Sequence, residues 1–392
     1  MGLGGAASIA GIGYTEYSRN SNKTVEALAV EACKKAIDDA GIAVADVDGV
    51  ITFGLGDTVG TGTVATDLGL KNLNHYADYS GGGNLACAIV LHAAMAVALG
   101  QANNVVVYRA LNGSSGIRYG GAAFSQLLAT SSVHSDSEPQ FLDTCGITMP
   151  AQQFALLCRR HMIKYGTTND DLAAIAISGR QNAVHNERAM MRVPLTLSAY
   201  RDSPWICDPF RLFDCCLQSD GACALLITST ERARDMRHSP VVIRSGFSGA
   251  GPRNRGVSWG NYWPDHTECY ARYHADRLFE QADVKRSDLD FAQLYDCFTY
   301  SVIAQFEDFG LCEKGGIGDF FRSGEGLIGG KLPINTGGGL LSEAYIHGVN
   351  NVVEAVIQLR GDAGIRQVKD AQVGLVTAGG AATSGSALIL GR

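Results

Sequence analysis

One arrangement of elements occurs twice along this chain, and that repetition constrains its fold more than any other feature. Thr24 to Ala40 reads as a helix, and a short linker with an Asp-x-Asp leads from it to a strand at Val47 to Phe53. Tyr270 to Asp296 repeats the order, with a helix, an Asp-x-Asp at 288–290 and a strand ending in QLYD. A second pair follows the same logic. Gly81 to Gly83 precede a helix at Asn84 to Leu99 and a strand at Asn104 to Tyr108; Gly337 to Gly339 precede a helix-like segment at Asn351 to Leu359 and a strand at Val373 to Thr377. The helices show apolar residues at helical spacing and the strands are short apolar runs. Two similar βαβ-type halves imply a layered α/β architecture.

The helix from Asn84 carries Ala, Val and Leu on nearly every face, which places it in the middle of the molecule. A length of 392 residues exceeds one ordinary core and suggests two or three units. We expect an N-terminal half of residues 1–115 with 216–240, a C-terminal half of 241–392, and a loop domain at 116–215. That last segment reads as irregular stretches and short helices, with a polar run at Ser131 to Pro139, and suits a layer laid over a scaffold. A turn is expected at Asp78 to Gly83.

Charge narrows the function. The net charge is −7, and the 32 Lys and Arg are scattered, which argues against nucleic-acid binding. Eleven cysteines with no CxxC pair suit reduced thiols and a cytoplasmic setting better than a disulfide framework. The apolar N-terminus has no basic residue before Arg19, unlike a signal peptide, and no apolar run reaches membrane-spanning length.

Several candidate chemistries can be weighed on residues alone. Gly54, Gly56 and Gly60 follow a strand, with Asp78 at a ribose-binding distance, but the spacing is GxGxxxG and a structural turn accounts for it better. Cys87 and Cys297 lie in apolar surroundings without a flanking cation, the setting of packing thiols. Ser342 has no base at a telling distance, and the histidines show no metal-ligand spacing. Lys164, Lys314 and Lys331 stand in polar or glycine-rich settings and read as solvated, which leaves Schiff-base chemistry without a buried amine. Tyr295, in QLYDCF, and Tyr345, in the glycine-led run TGGGLLSEAYIHGVN at 336–350, remain. A glycine-rich approach suits a site, while a tyrosine is more commonly a packing residue, so pattern alone leaves both roles open.

The order of these segments resembles the thiolase superfamily over nearly the whole chain, and in particular its sterol-carrier-protein-type thiolases. Thiolases of that branch carry a nucleophilic cysteine near the start of the buried helix, an HDCF motif and a glycine-rich segment ending in GHP. Here those places read GGGN at 81–84, YDCF at 295–298 and EAYIHG at 343–348, so both histidines are replaced by tyrosine. Cys87 lies a turn inside the helix, and VTAGG at 376–380 lacks a second catalytic cysteine. With WICDPFRLFDCC at 205–216 and LVTAGGAATSG at 375–385, the combination is similar to the lipid-transfer-protein-2 type aldolases of bacterial steroid side-chain degradation.

That resemblance implies a thiolase fold, layered αβαβα, and retro-aldol cleavage of a 17-hydroxy steroid CoA thioester to a 17-ketosteroid and propionyl-CoA. It assigns the catalysis to Tyr295 and Tyr345. It also implies a homodimer joined to a small OB-fold, zinc-ribbon subunit of the DUF35 type in a heterotetramer. No cofactor is expected in this chain: CoA arrives with the steroid acyl-CoA substrate, and zinc belongs to the partner subunit. The rival readings are an acyl-CoA thiolase using Cys87 and a non-catalytic lipid carrier or scaffold.

Overall fold

A computed structural model describes residues 4–116, 118, 142, 144–252 and 264–392. The first half runs β1 (Ala7–Tyr14), α1 (Val25–Ala40), β2 (Gly49–Gly54), α2 (Thr61–Leu68), β3 (His75–Ser80), α3 (Ala86–Ala98) and β4 (Asn104–Asn112). Then come α4 (Pro150–Tyr165), α5 (Asn169–Val184), a small β5–β6 pair (Trp205–Cys207 and Phe210–Arg211) and β7 (Asp220–Ser229). The second half holds β8 (Val241–Ala250), α6 (Ala271–Ala282), β9 (Phe291–Gln293), α7 (Thr299–Asp308), α8 (Val349–Arg360), β10 (Val373–Ala378) and β11 (Ser384–Gly391).

The repeated order in the sequence becomes a repeated topology. Among the described residues nine strands lie in the order β3-β2-β4-β7-β1-β8-β11-β10-β9. In the first half β3, β2 and β4 are parallel and β7 and β1 antiparallel; in the second, β9 and β10 are parallel and β11 and β8 antiparallel. The halves meet where β1 pairs with β8 through only Ser8↔Val242 and Ile9↔Val241. In each half one helix leads into a parallel strand and a second helix leads into the strand beside it: α1–β2 and α3–β4, then α6–β9 and α8–β10.

Packing arranges these elements in five layers. Thr24 caps α1 by accepting from the Ala27 N–H, and α1 closes one outer face by packing on β1, β7 and β4. It approaches closely because Gly11 and Gly13 of β1 face it. A β-carbon on either would fall 2.1 Å from an α1 carbonyl oxygen. On the other side α6 covers β8 and β11. Between the sheets lie α3 and α8, touching each other and strands of both halves. Ile89 on α3 is fully buried, and truncating it to Ala would cost about 2–5 kcal/mol. This is the layered αβαβα arrangement expected, with α3 at its centre.

The local differences have physical causes. Asp78 to Ser80 close β3 instead of opening a turn. Asn84 and Leu85 belong to a 3-10 turn, Gly83–Leu85, that leads into α3. The short helices expected within 116–215 include two of 16 residues, α4 and α5. Their apolar pattern is blurred because α5 buries Ser178, Arg180 and Asn182. The polar run at 131–139 lies outside the described residues. All eleven cysteines are free thiols. No helix among the described residues is long and apolar enough to cross a membrane.

Candidate active site

The glycine-led segment reaches the centre of the molecule because three of its glycines adopt left-handed backbone, Gly338 (φ 103°), Gly339 (φ 60°) and Gly348 (φ 86°). At Gly339 close approach also forbids a side chain, since a β-carbon there would sit 2.2 Å from Asp296 Oδ2. Asp296 accepts the Leu340 N–H at 2.8 Å and the Leu341 N–H at 3.3 Å, tying the YDCF segment to the glycine turn. Burial pushes its carboxyl up to about 7 despite those bonds.

Beyond the turn, buried Glu343 accepts from Arg188 Nε (3.0 Å), Asn186 Nδ2 (2.9 Å) and Asn350 Nδ2 (3.0 Å). Arg188 also pairs with Glu354 at 2.6 Å. Next along the chain, the Tyr345 N–H donates to Ser219 Oγ at 3.1 Å. Removing one member of such a buried charge network leaves the others unpaired, so the segment is held on both sides of Tyr345.

Tyr295 follows β9. Its N–H donates to Thr377 Oγ1 at 3.0 Å and its carbonyl accepts from Gln305 Nε2 at 2.8 Å. Its ring lies between Gly83 at the head of α3 and Gly348, where β-carbons would fall within 1.7 Å and 2.8 Å of it. The two candidate tyrosines, 50 residues apart in sequence, meet oxygen to oxygen at 2.9 Å, with ring planes at 65°. Both are buried. For Tyr295, burial and then Cys297 push the phenol well above the ordinary tyrosine range; for Tyr345, burial and then Tyr295 do the same. Both hydroxyls are therefore neutral at physiological pH.

The thiols around them are neutral as well. Burial pushes Cys297 up to about 12, and its Sγ lies 3.2 Å from Ser301 Oγ. Cys87 is fully buried, donates to the Val376 carbonyl at 3.6 Å and is pushed far up by burial alone. Neither has the electropositive setting of an activated thiolate.

The other candidates fall away from the tyrosine pair. Asp78 caps α2, accepting from the Thr61 N–H at 2.9 Å and the Thr61 hydroxyl at 2.6 Å, so the glycine run before it is a structural turn. Ser342 accepts from Arg180 Nε at 3.0 Å. Lys164 pairs with Asp265, and Lys331 is exposed. Lys314 departs from the solvated reading: it is largely buried, 2.7 Å from Asp308, because α7 presents that carboxylate and Glu307 to it.

Residues 260–392 match the family described as thiolase C-terminal domain-like. A steroid side-chain-cleaving aldolase of Thermomonospora curvata is 42% identical over 396 residues, covering 99% of this chain and 98% of that protein. A 17-hydroxy-3-oxo-4-pregnene-20-carboxyl-CoA lyase of Mycobacterium tuberculosis is 41% identical, covering 99% of this chain and all of its own length (100%). The chain belongs to the steroid side-chain-cleaving aldolases of the thiolase superfamily. A solved Ltp2-ChsH2(DUF35) aldolase has the same fold at a TM-score of 0.91 and 40% identity, covering 100% of this chain and 99% of its own.

Three residues next to the tyrosine pair, Asp57, Arg109 and His347, were not assigned from sequence. Arg109 on β4 is fully buried, its Nη2 2.5 Å from Asp57 Oδ2 and its Nη1 donating to the Ala110 carbonyl at 3.0 Å. Its Nε and Nη2 also lie 3.1 Å and 3.0 Å from His347 Nδ1. Burial and then Arg109 hold the His347 imidazole down to about 3. Burial would raise Asp57, but Arg109, His347 and the Leu55 N–H outweigh it and keep the carboxylate below its usual range. A cleft of roughly 480 Å³ opens beside Asp57, lined also by Thr58, Val59, Leu111 and Asn112. An arginine inside the apolar run NVVVYRAL was the one available sequence signal, since an unpaired buried cation is costly.

Proposed function

We propose that this chain catalyses retro-aldol cleavage of a 17-hydroxy steroid whose three-carbon side chain is a CoA thioester, releasing a 17-ketosteroid and propionyl-CoA. The observation that carries the mechanism is the buried contact between Tyr295 Oη and Tyr345 Oη at 2.9 Å. The 41–42% identity to the two lyases over almost the full chain supports the substrate class.

Retro-aldol cleavage consumes no net proton. The C17 hydroxyl loses its proton as the bond between C17 and the side chain breaks, and the thioester enolate that leaves must gain one. The thioester is the electron sink, so neither an amine nor a metal is required for the electron flow. A resting tyrosinate base is disfavoured, because ionising a phenol of pKa 10 or more at pH 7 costs at least about 4 kcal/mol. The paired hydroxyls avoid that cost. Tyr345 accepts the hydroxyl proton as its own passes to Tyr295, and Tyr295 gives its proton to the enolate, so both phenols are regenerated neutral. We assign Tyr345 to the hydroxyl and Tyr295 to the enolate.

A small OB-fold, zinc-ribbon subunit of the DUF35 type is the partner we propose, supported by the likeness to the Ltp2-ChsH2(DUF35) aldolase. Zinc belongs to that subunit, and two copies of each chain form the assembly. The free cysteines suit a cytoplasmic enzyme. Incubating the complex with a 17-hydroxysteroid propionyl-CoA thioester and resolving the products by chromatography tests the activity. Stoichiometric ketone and propionyl-CoA are expected. Intact thioester after incubation with the assembled complex would overturn the reading and favour a carrier.

A further inference from the structure

We propose that His347 and Arg109 are positioning residues for Tyr345, forming with the part-buried Asp57 a chain that fixes the angle of its phenol; the inference rests on the role given to Tyr345 above. Arg109 is the starting point. It is a wholly buried cation on a strand otherwise apolar from Val105 to Leu111, and its charge is met by Asp57 at the far side of the β2–α2 loop. Phe53 of β2 lies under the guanidinium, 5.2 Å from its ring centre.

Guanidinium can only donate, so His347 Nδ1, which receives both Nε and Nη2, is an acceptor. That places the imidazole proton on Nε2 and leaves the ring neutral. The orientation of the ring is thereby set from β4, a strand of the opposite half of the molecule. His347 then lies over Phe53 with centroids 6.0 Å apart and planes 20° apart. It also meets Tyr345 edge to face at 4.9 Å with planes at 89°. His347 holds this place with a left-handed backbone (φ 50°), which residues other than glycine seldom adopt.

A phenol that must pass a proton at 2.9 Å gains from a fixed ring angle, because misplacement by about 1 Å can cost on the order of a hundredfold in rate. Deletion of a merely structural contact would act differently: it would lower activity whether or not the Tyr345 hydroxyl is present. Combining substitutions separates the two roles.

The test measures kcat and KM of the assembled complex for His347→Asn and Arg109→Lys, each in the wild-type and the Tyr345→Phe background. Asn tolerates the left-handed backbone and offers Arg109 an acceptor without a ring. Lys keeps the charge but cannot place two donors on Nδ1. In the wild-type background we expect kcat to fall about tenfold to a hundredfold with KM little changed. In the Tyr345→Phe background the same substitutions should leave kcat where Tyr345→Phe alone puts it. An equal fall in both backgrounds, or none in either, overturns the positioning role while leaving the proposed reaction standing. Wild-type turnover by Tyr345→Phe itself would instead remove Tyr345 from the mechanism. If His347→Asn or Arg109→Lys fails to fold by circular dichroism, Asp57→Asn, at the outer end of the chain, must show the same background dependence at smaller amplitude, and its failure to do so overturns the proposal.

Discussion

The phenol oxygen of Tyr295 fills the space that a side chain on residue 83 would need: a β-carbon built on Gly83 would lie 1.7 Å from it. Residue 83 stands at the head of the central helix, the region where thiolases of the resembling branch carry their nucleophilic cysteine. A tyrosine at 295 and any side chain at 83 therefore exclude each other sterically. The phenol of Tyr295 thus occupies the head of the central helix.

Gly83→Ala tests that exclusion. The added methyl must displace the Tyr295 ring, which Gly348 already confines from the other side. We expect kcat to drop at least about tenfold through lost alignment and stability to fall by about 1–3 kcal/mol from overpacking. Steady-state kinetics and thermal melts measure the two effects; a fully active variant would show that the position of the phenol does not matter.

Tyr295→Phe and Tyr345→Phe keep the rings and remove the hydroxyls. Each should reduce kcat on the order of a hundredfold or more, as for loss of a general acid or base, with KM changed far less. In the proposed relay both hydroxyls serve one step, so the double variant should be little worse than the slower single one. Multiplying effects would indicate two independent roles. Circular dichroism and retention of the partner subunit establish that each variant is intact.

No acyl-enzyme should form on sulfur during turnover, since Cys87 is fully buried and bonded to the Val376 carbonyl and burial raises the thiols of both Cys87 and Cys297. Mass spectrometry of protein quenched in mid-reaction reads this directly. A stoichiometric acyl adduct on Cys87 would restore thiolase chemistry.

Asp296→Asn should alter how stability responds to pH. Burial raises this carboxyl from 3.8 to about 7 in the folded chain. Between those values the folded state binds more protons than the unfolded state, so this group's contribution is complete below about 4 and is lost as pH rises through about 7. Asn has no such titration. The Tm of the variant minus that of the wild type should therefore increase between pH 5.5 and 8, as read by differential scanning calorimetry; a difference independent of pH would mean that Asp296 is not raised.

Much of the fold was legible because its signals are local. Thr24 ahead of a helical apolar pattern, the fully apolar α3 and the recurring helix–linker–strand order are each written within a few turns of chain, and the structure contains all of them. Tyr295 and Tyr345 stood out for the same reason, each beside a local landmark. Tertiary structure decided what those residues touch. The 2.9 Å meeting of the two phenols depends on Asp296 holding the Gly339 turn and on Gly83 and Gly348 yielding room, and no local pattern encodes such an approach. The grouping of Asp57, Arg109 and His347 depends likewise on strand order and on packing between the two halves. Periodicity reports which face of an element is buried, but only packing determines what it is buried against, and at this site that partner sets the charge, the proton position and the reach of every group.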